Sequence, residues 1–301
     1  DHFSFVQGIV DTPDVSLNIS REMLQHDRQL KVIANNIEKK IKSELVKLMK
    51  DDREKYQQFW TAFGMQIKNA LMNAYGQNRD TIRDLLLFWS SKENKLTSLK
   101  EYVDRMPESQ EKIYYVCADS VEHASKMPQA ERVLKAGYEV LYLTVDEDEI
   151  VLQMLENAYD KPFVSVASED ALPVTDAEKA SVEQAEKDHK ALLDFAQETL
   201  KGEVSKVRIS KILQSGAVCL TAEGPVSLEM EKYFRKMRRD FPMSAQRVLE
   251  LNPDAPAFQA LCKAYEEDKE KAAAYVEVLY NQALIIADLP LPDPARYAEL
   301  V

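Results

Sequence analysis

Glycine is scarce in this chain, seven in 301 residues, where average usage would give about twenty. That excludes collagen-like and low-complexity classes, and no two of the seven lie closer than Gly216 and Gly224. A dinucleotide fingerprint or a P-loop needs closely spaced glycines so that backbone amides can wrap a phosphate, so the chain carries neither. Cysteine is scarce too. Cys117, Cys219 and Cys262 are widely spaced, odd in number and set among apolar neighbours, which predicts reduced, core-filling thiols and a cytoplasmic protein, not a disulfide framework. No stretch approaches the roughly 18 apolar residues of a membrane span, and the first residues lack the basic and apolar regions of a signal peptide. Basic residues are outnumbered, 39 against 51 acidic for a net charge of −12. An acidic surface does not release counterions from phosphates, so nucleic-acid binding is not expected.

Helical spacing dominates what is present. After a strand-like Phe3 to Val10 and the turn Asp11-Thr12-Pro13-Asp14, a long stripe of Leu30, Val32, Ile33, Ile37, Ile41, Leu45 and Leu48 steps mostly by three or four. A second helix carries Tyr56, Phe59, Trp60, Phe63, Ile67 and Leu71 and ends before Gly76, and a third runs from about Thr81 to Trp89. Ser98 with Glu101 forms a capping box for a short helix closed by Pro107. Residues 24–107 therefore read as almost wholly helical.

The pattern then changes. Short apolar runs at Ile113–Cys117, Val140–Leu143 and Phe163–Val166 alternate with helical stretches, which predicts a small parallel β-α-β-α-β sheet. Thr175 caps a connecting helix reaching about Leu200. Beyond Gly202, alternation at Val204, Val207 and Ile209 and a second run at Ala217–Leu220 read as a β-hairpin, followed by helices at Leu228–Arg239, Ala257–Glu267 and Lys271–Leu289 and a short end helix from Pro294. The expected class is α/β within an α+β whole. It comprises a helical segment, a small three-layer α/β/α unit with a short parallel sheet, and a mixed α+β domain ending in a helix bundle. The expected divisions are 1–50, 51–107, 108–200 and 201–301.

Several chemistries find no support. His2, His26, His123 and His189 pair with no other His or Cys at ligand spacing, so no metal is expected. No serine or cysteine sits in a nucleophile elbow. Three features are more pointed. Asn18 and Ser20 are capping residues where the long helix begins, so Arg21 falls in its first turn with Gln25 one turn on. Helix N-termini already attract anions, and an arginine there suits a phosphate oxygen; the alternative is a surface pair with Asp14 or Glu22. Leu228, Met230, Tyr233, Phe234 and Met237 lie near one helix face, which fits either an adaptable apolar binding surface or ordinary core packing. In the last long helix Tyr275, Leu279, Tyr280, Leu284 and Ile285 belong to an apolar set that occupies nearly every face. With Tyr297 of the end helix they suggest burial against a second copy.

Gly8-Ile9-Val10-Asp11 followed by Leu17 to Gln25 resembles the middle-domain signature of the heat-shock protein 90 family of ATP-dependent chaperones. Thr97 to Met106, Lys112 to Val116, Arg132 to Thr144, Lys161-Pro162-Phe163 and Asn252-Pro253 follow in the family's order. The resemblance implies the second part of a middle domain followed by a C-terminal dimerisation domain. The absent initiator Met fits an excised fragment, and the missing acidic Met-Glu-Glu-Val-Asp tail fits the bacterial type. It further implies that ATP and Mg are held by a nucleotide-binding domain outside this chain, which itself binds neither. Arg21 would then reach the γ-phosphate, Gln25 would help position it, partly folded client proteins would be the substrates, and the C-terminal helices would form a homodimer. The different-class alternative is a nucleotide-independent dimeric scaffold or adaptor. Gln7 stands where Arg is usual and Thr12-Pro13 varies the turn. Ile150 replaces an aromatic that some bacterial members use towards clients, so that contact is not carried over.

Overall fold

A computed structural model describes residues 3–11, 28–168, 171–237 and 244–301. The described chain is a mixed α+β structure with two sheets. Arg28–Asp51 (α1) and Arg53–Asn73 (α2) are joined through Asp52 alone, whose side chain accepts a hydrogen bond from the Lys55 amide at the start of α2. The chain leaves α2 through Gly76 (φ +75), whose amide bonds to the Leu71 carbonyl at 3.0 Å. A Cβ there would lie 2.8 Å from the Met154 carbonyl oxygen, so both backbone sign and space require glycine.

The predicted third helix is largely absent. Arg79–Ile82 (α3) gives one turn, residues 83–85 tighten into a 3-10 turn, and Leu87–Ser90 (β1) and Lys95–Ser98 (β2) form a hairpin. Leu85 to Trp89 is a continuous apolar run with no helical period to hold it, and pairing within a buried sheet satisfies its backbone. Phe3 to Val10 is not a strand either; Phe3–Phe5 is a turn, with Phe5 stacked on Phe63 at 4.8 Å between ring centroids.

The capping box of Ser98 and Glu101 is present at the start of Leu99–Arg105 (α4). Ile113–Cys117 (β3), Val121–Lys126 (α5), Glu131–Lys135 (α6), Val140–Leu143 (β4), Asp148–Leu155 (α7), Asn157–Ala158 (β5) and Lys161–Ser165 (β6) follow. β4, β3 and β6 are mutually parallel, with Tyr114 opposite Val140 and Ile113 opposite Phe163. The hairpin and β5 extend this core antiparallel, in the order β2-β1-β4-β3-β6-β5. Alternate residues enter different cores. Ile113, Tyr115, Leu141 and Leu143 pack with α2, α4 and α7, while Tyr114, Val116, Val140 and Tyr142 pack with α5 and α6. The first of these cores also takes in Met49, Tyr56 and Tyr102, so packing is continuous across the division expected near residue 107.

The predicted connecting helix is two, Asp176–Asp188 (α8) and Lys190–Thr199 (α9), broken at His189; the first opens with a second capping box, Thr175 with Glu178. Lys206–Ile209 (β7) and Val218–Glu223 (β8) do not form the expected hairpin. Gln246–Leu251 (β9) lies between them, parallel to β7 and antiparallel to β8. The sequence hides β9 because Glu250 interrupts its apolar run. In the fold that carboxylate is 1% exposed and accepts from Arg208, Ser210 and Thr221. Leu228–Met237 (α10), Pro256–Glu267 (α11), Lys269–Ile286 (α12) and Pro294–Leu300 (α13) complete the chain.

Candidate functional surfaces

Helix α10 is a seam between the two sheets. The Ser227 hydroxyl caps it by accepting from the Met230 amide at 3.0 Å and itself donates to Glu149 at the start of α7. Met230 sulfur accepts from Gln153 Nε2 at 3.5 Å, and Lys236 pairs with Asp146. On the opposite side Glu231 is fully buried. It accepts from Arg247 at 2.7 Å, Arg235 at 2.6 Å and the Ala245 amide at 2.9 Å, which ties α10 to the sheet β7-β9-β8. Burial raises the carboxyl pKa of Glu149, opposed by the Ser227 and Tyr115 hydroxyls. Burial also raises that of Glu229, opposed by Lys232 at 2.9 Å.

Leu228, Met230, Tyr233 and Phe234 are each half-buried. Leu228 joins the C-terminal core, and the Tyr233 and Phe234 rings meet edge to face at 5.6 Å. Of Met237 only the backbone is described. Arg21 and Gln25 lie outside the described residues.

The C-terminal helices divide their apolar residues. Leu279 (5% exposed), Tyr280 (3%) and Leu284 (0%) are inside the chain's own core. The Tyr280 hydroxyl accepts from Arg247 at 3.2 Å and donates to Glu203 at 3.1 Å. These three are therefore not free to meet a partner, contrary to the reading of α12 as too apolar for one core. Sheet strand β8 and helices α9 and α11 supply the burial that composition alone assigned to a second copy. Tyr275 and Tyr297 are half-buried and Ile285 is 48% exposed.

The fold also assembles groups that spacing could not reveal. His123 Nδ1 lies 3.1 Å from Asp119 and 3.0 Å from Asp288, which is 169 positions from Asp119 and accepts its amide. Among the described residues this is the one group whose donors could surround a metal ion. Its members already contact one another and link the end of β3 to the end of α12. Cys262 sulfur sits 3.7 Å from His189 Nδ1, and burial raises the thiol pKa, which disfavours the nucleophilic thiolate. All three cysteines are free thiols, and no described helix is long and apolar enough to cross a membrane.

The family model described as Hsp90 protein matches residues 1–301. The chain is 52% identical over 297 residues to the chaperone protein HtpG of Bacillus subtilis (strain 168), covering 99% of this chain and 47% of that protein. It is 50% identical over 297 residues to HtpG of Oceanobacillus iheyensis, with the same coverage of 99% and 47%. For HtpG of Clostridium botulinum (strain Langeland) the identity is 48% over 298 residues, again 99% and 47%. The chain thus spans about half the length of the curated relatives it matches.

Proposed function

The chain belongs to the Hsp90 protein family, and from that premise we propose that it is the middle and C-terminal part of a cytoplasmic, ATP-dependent molecular chaperone. It binds partly folded proteins and acts as a homodimer. The observation that carries this reading is identity near one half to chaperones named HtpG across 99% of the chain. ATP and magnesium are held by protein outside this chain. Arg21 adds positive charge at the γ-phosphate, where negative charge moves during phosphoryl transfer, and Gln25 helps to position it. The half-buried Tyr233 and Phe234 on α10 offer aromatic surface to apolar client segments.

The test of client binding is suppression of aggregation of a chemically denatured enzyme, without nucleotide. Tyr233→Glu with Phe234→Glu is expected to weaken the effect several-fold while leaving the melting temperature of the chain unchanged. A large fall in melting temperature would instead place that face in the folding core and remove it as a client surface.

In the longer protein that includes the nucleotide-binding domain, Arg21→Ala is expected to lower ATP turnover at least tenfold, about 1.4 kcal/mol of transition-state stabilisation. Nucleotide affinity stays nearly unchanged, because the arginine acts on the transferring phosphate and not on ground-state binding. Unchanged turnover in a folded variant would remove Arg21 from the mechanism and favour the nucleotide-independent scaffold.

A further inference from the structure

A cavity of about 530 Å³ opens beyond the C-terminal ends of β3 and β6, between the parallel sheet and the segment from β8 into α10. Its place in the topology is informative. The chain runs from β3 to β4 on one side and then to β6 on the other, so strand order reverses at β3. Crevices at such switch points, outside the carboxyl ends of parallel strands, are where open α/β sheets take ligands.

The charges on its wall are unevenly matched. Arg208 is committed to Glu250, with contacts of 3.1 and 2.6 Å from Nε and Nη2, and touches Glu223 at 3.4 Å. Lys232 is committed to Glu229. Glu149 is different: it is 6% exposed, and its oxygens accept from the Tyr115 hydroxyl at 3.1 Å and from Ser227. Among the described residues no cation is within ion-pair distance of it; the positive charge that acts on it, Lys232, is hydrogen-bonded to Glu229 instead, although a buried carboxylate is costly without a direct partner. A second group on the same wall is also unfulfilled. Gln129 is 3% exposed and its Oε1 receives no hydrogen bond among the described residues, a deficit of about 1–3 kcal/mol for a buried acceptor. Both deficits call for donors, one of them positively charged. Val116, Met127, Leu220 and Val226 supply apolar wall around them, which suits a carbon chain and not a hydrated inorganic ion.

We propose that this cavity binds a small alkyl polyamine, one ammonium seated on Glu149 and a further N–H donated to Gln129 Oε1, with the methylene chain against the apolar wall. The site is independent of the chaperone reading, since it uses neither Arg21 nor the Tyr233–Phe234 surface. A net charge of −12 attracts any polycation, so the test must separate a site from diffuse attraction. Cys117 and Cys262 are both half-buried free thiols whose pKa burial raises, and only Cys117 lines the cavity, so labelling is slow and is followed at alkaline pH.

The experiment is calorimetric titration of the chain with spermidine at about physiological salt, together with iodoacetamide labelling of each cysteine followed by peptide mass spectrometry. The expected result is saturation at one site per chain and labelling of Cys117 slowed several-fold with Cys262 unaffected. Glu149→Gln should weaken binding at least tenfold, and Gln129→Leu should weaken it less, with circular dichroism reporting that each variant is folded. Absence of saturable binding, equal binding by Glu149→Gln, or equal slowing at both cysteines would overturn the proposal. Should Glu149→Gln fail to fold, unprotected Cys117 in the unaltered chain or undiminished binding by Gln129→Leu would overturn it equally.

Discussion

Lys68→Ala is expected to destabilise the first core by about 3–5 kcal/mol, the cost of leaving one member of a buried ion pair without its partner. Lys68 in α2 and Asp148 at the start of α7 meet at 2.5 Å with side chains 6% and 4% exposed. The ammonium also faces the rings of Trp60 and Phe88 at 5.4 and 5.8 Å, so water has little access to replace it. Burial raises the Asp148 pKa, and the charge of Lys68 opposes that shift. Once Lys68 is gone, only burial remains as the larger influence, and the folded-state pKa rises further above the unfolded value of about 4.

The sign follows from proton binding. In the variant the folded state keeps a proton that the unfolded state releases, so stability falls as pH rises from about 4 upward. The deficit of Lys68→Ala should therefore be largest near neutrality and shrink in acid. Trp60 lies in this first core, whereas Trp89 packs against the core on the other face of the sheet, so urea unfolding followed by Trp60 fluorescence in a Trp89→Phe background reads the first core. Replacing both partners, Lys68→Met with Asp148→Leu, should recover most of the loss, because neither charge then has to be desolvated. A single variant within about 1 kcal/mol of the unaltered chain would mean that the pair contributes no more than a surface bridge.

What the sequence made legible was local. The capping box at Ser98 and the capping Thr175 are read within four residues and are present, the latter completed to a box by Glu178. The three parallel strands stand out because β3 and β4 are buried on both faces and so appear as unbroken apolar runs. Leu85 to Trp89 shows the limit of that signal, because an apolar run without period fits a helix or a strand until its neighbours decide. Strand β9 was hidden by Glu250, whose burial makes sense only once Arg208, 42 positions away, is seen beside it. The same limit explains the functional surfaces. Glu149, Gln129 and Ser227 acquire meaning from contacts that no spacing predicts. In α12, counting apolar residues did not reveal which of them the chain's own sheet would cover.

Ile285→Asp is expected to convert a dimer of this chain into monomers, at least a hundredfold weakening of association, or about 2.7 kcal/mol. Once the core-facing residues of α12 are set aside, Ala274, Val278, Asn281 and Ile285 remain on one helical stripe. Ile285 is the most exposed large apolar side chain on it, at 48%. Helix α13 packs alongside α12, held by Arg296 to Glu277 at 3.1 Å, and adds the half-buried Tyr297 and Leu300. A two-fold axis would bring each stripe against its own copy and form a four-helix arrangement. The substitution then acts twice, since each copy loses roughly 1 kcal/mol of apolar burial, the side chain being 48% exposed in one chain, and gains a carboxylate that association would have to desolvate. Sedimentation equilibrium should give twice 34.4 kDa for the unaltered chain and 34.4 kDa for the variant, with unchanged far-UV circular dichroism and a melting temperature lowered only by the lost association. Leu284→Asp provides the contrast. That residue is 0% exposed within one chain, so its replacement should unfold the C-terminal core and not merely separate two folded copies. An unaltered chain that stays monomeric at tens of micromolar, or an Ile285→Asp variant that stays dimeric, would remove this stripe as the dimer contact.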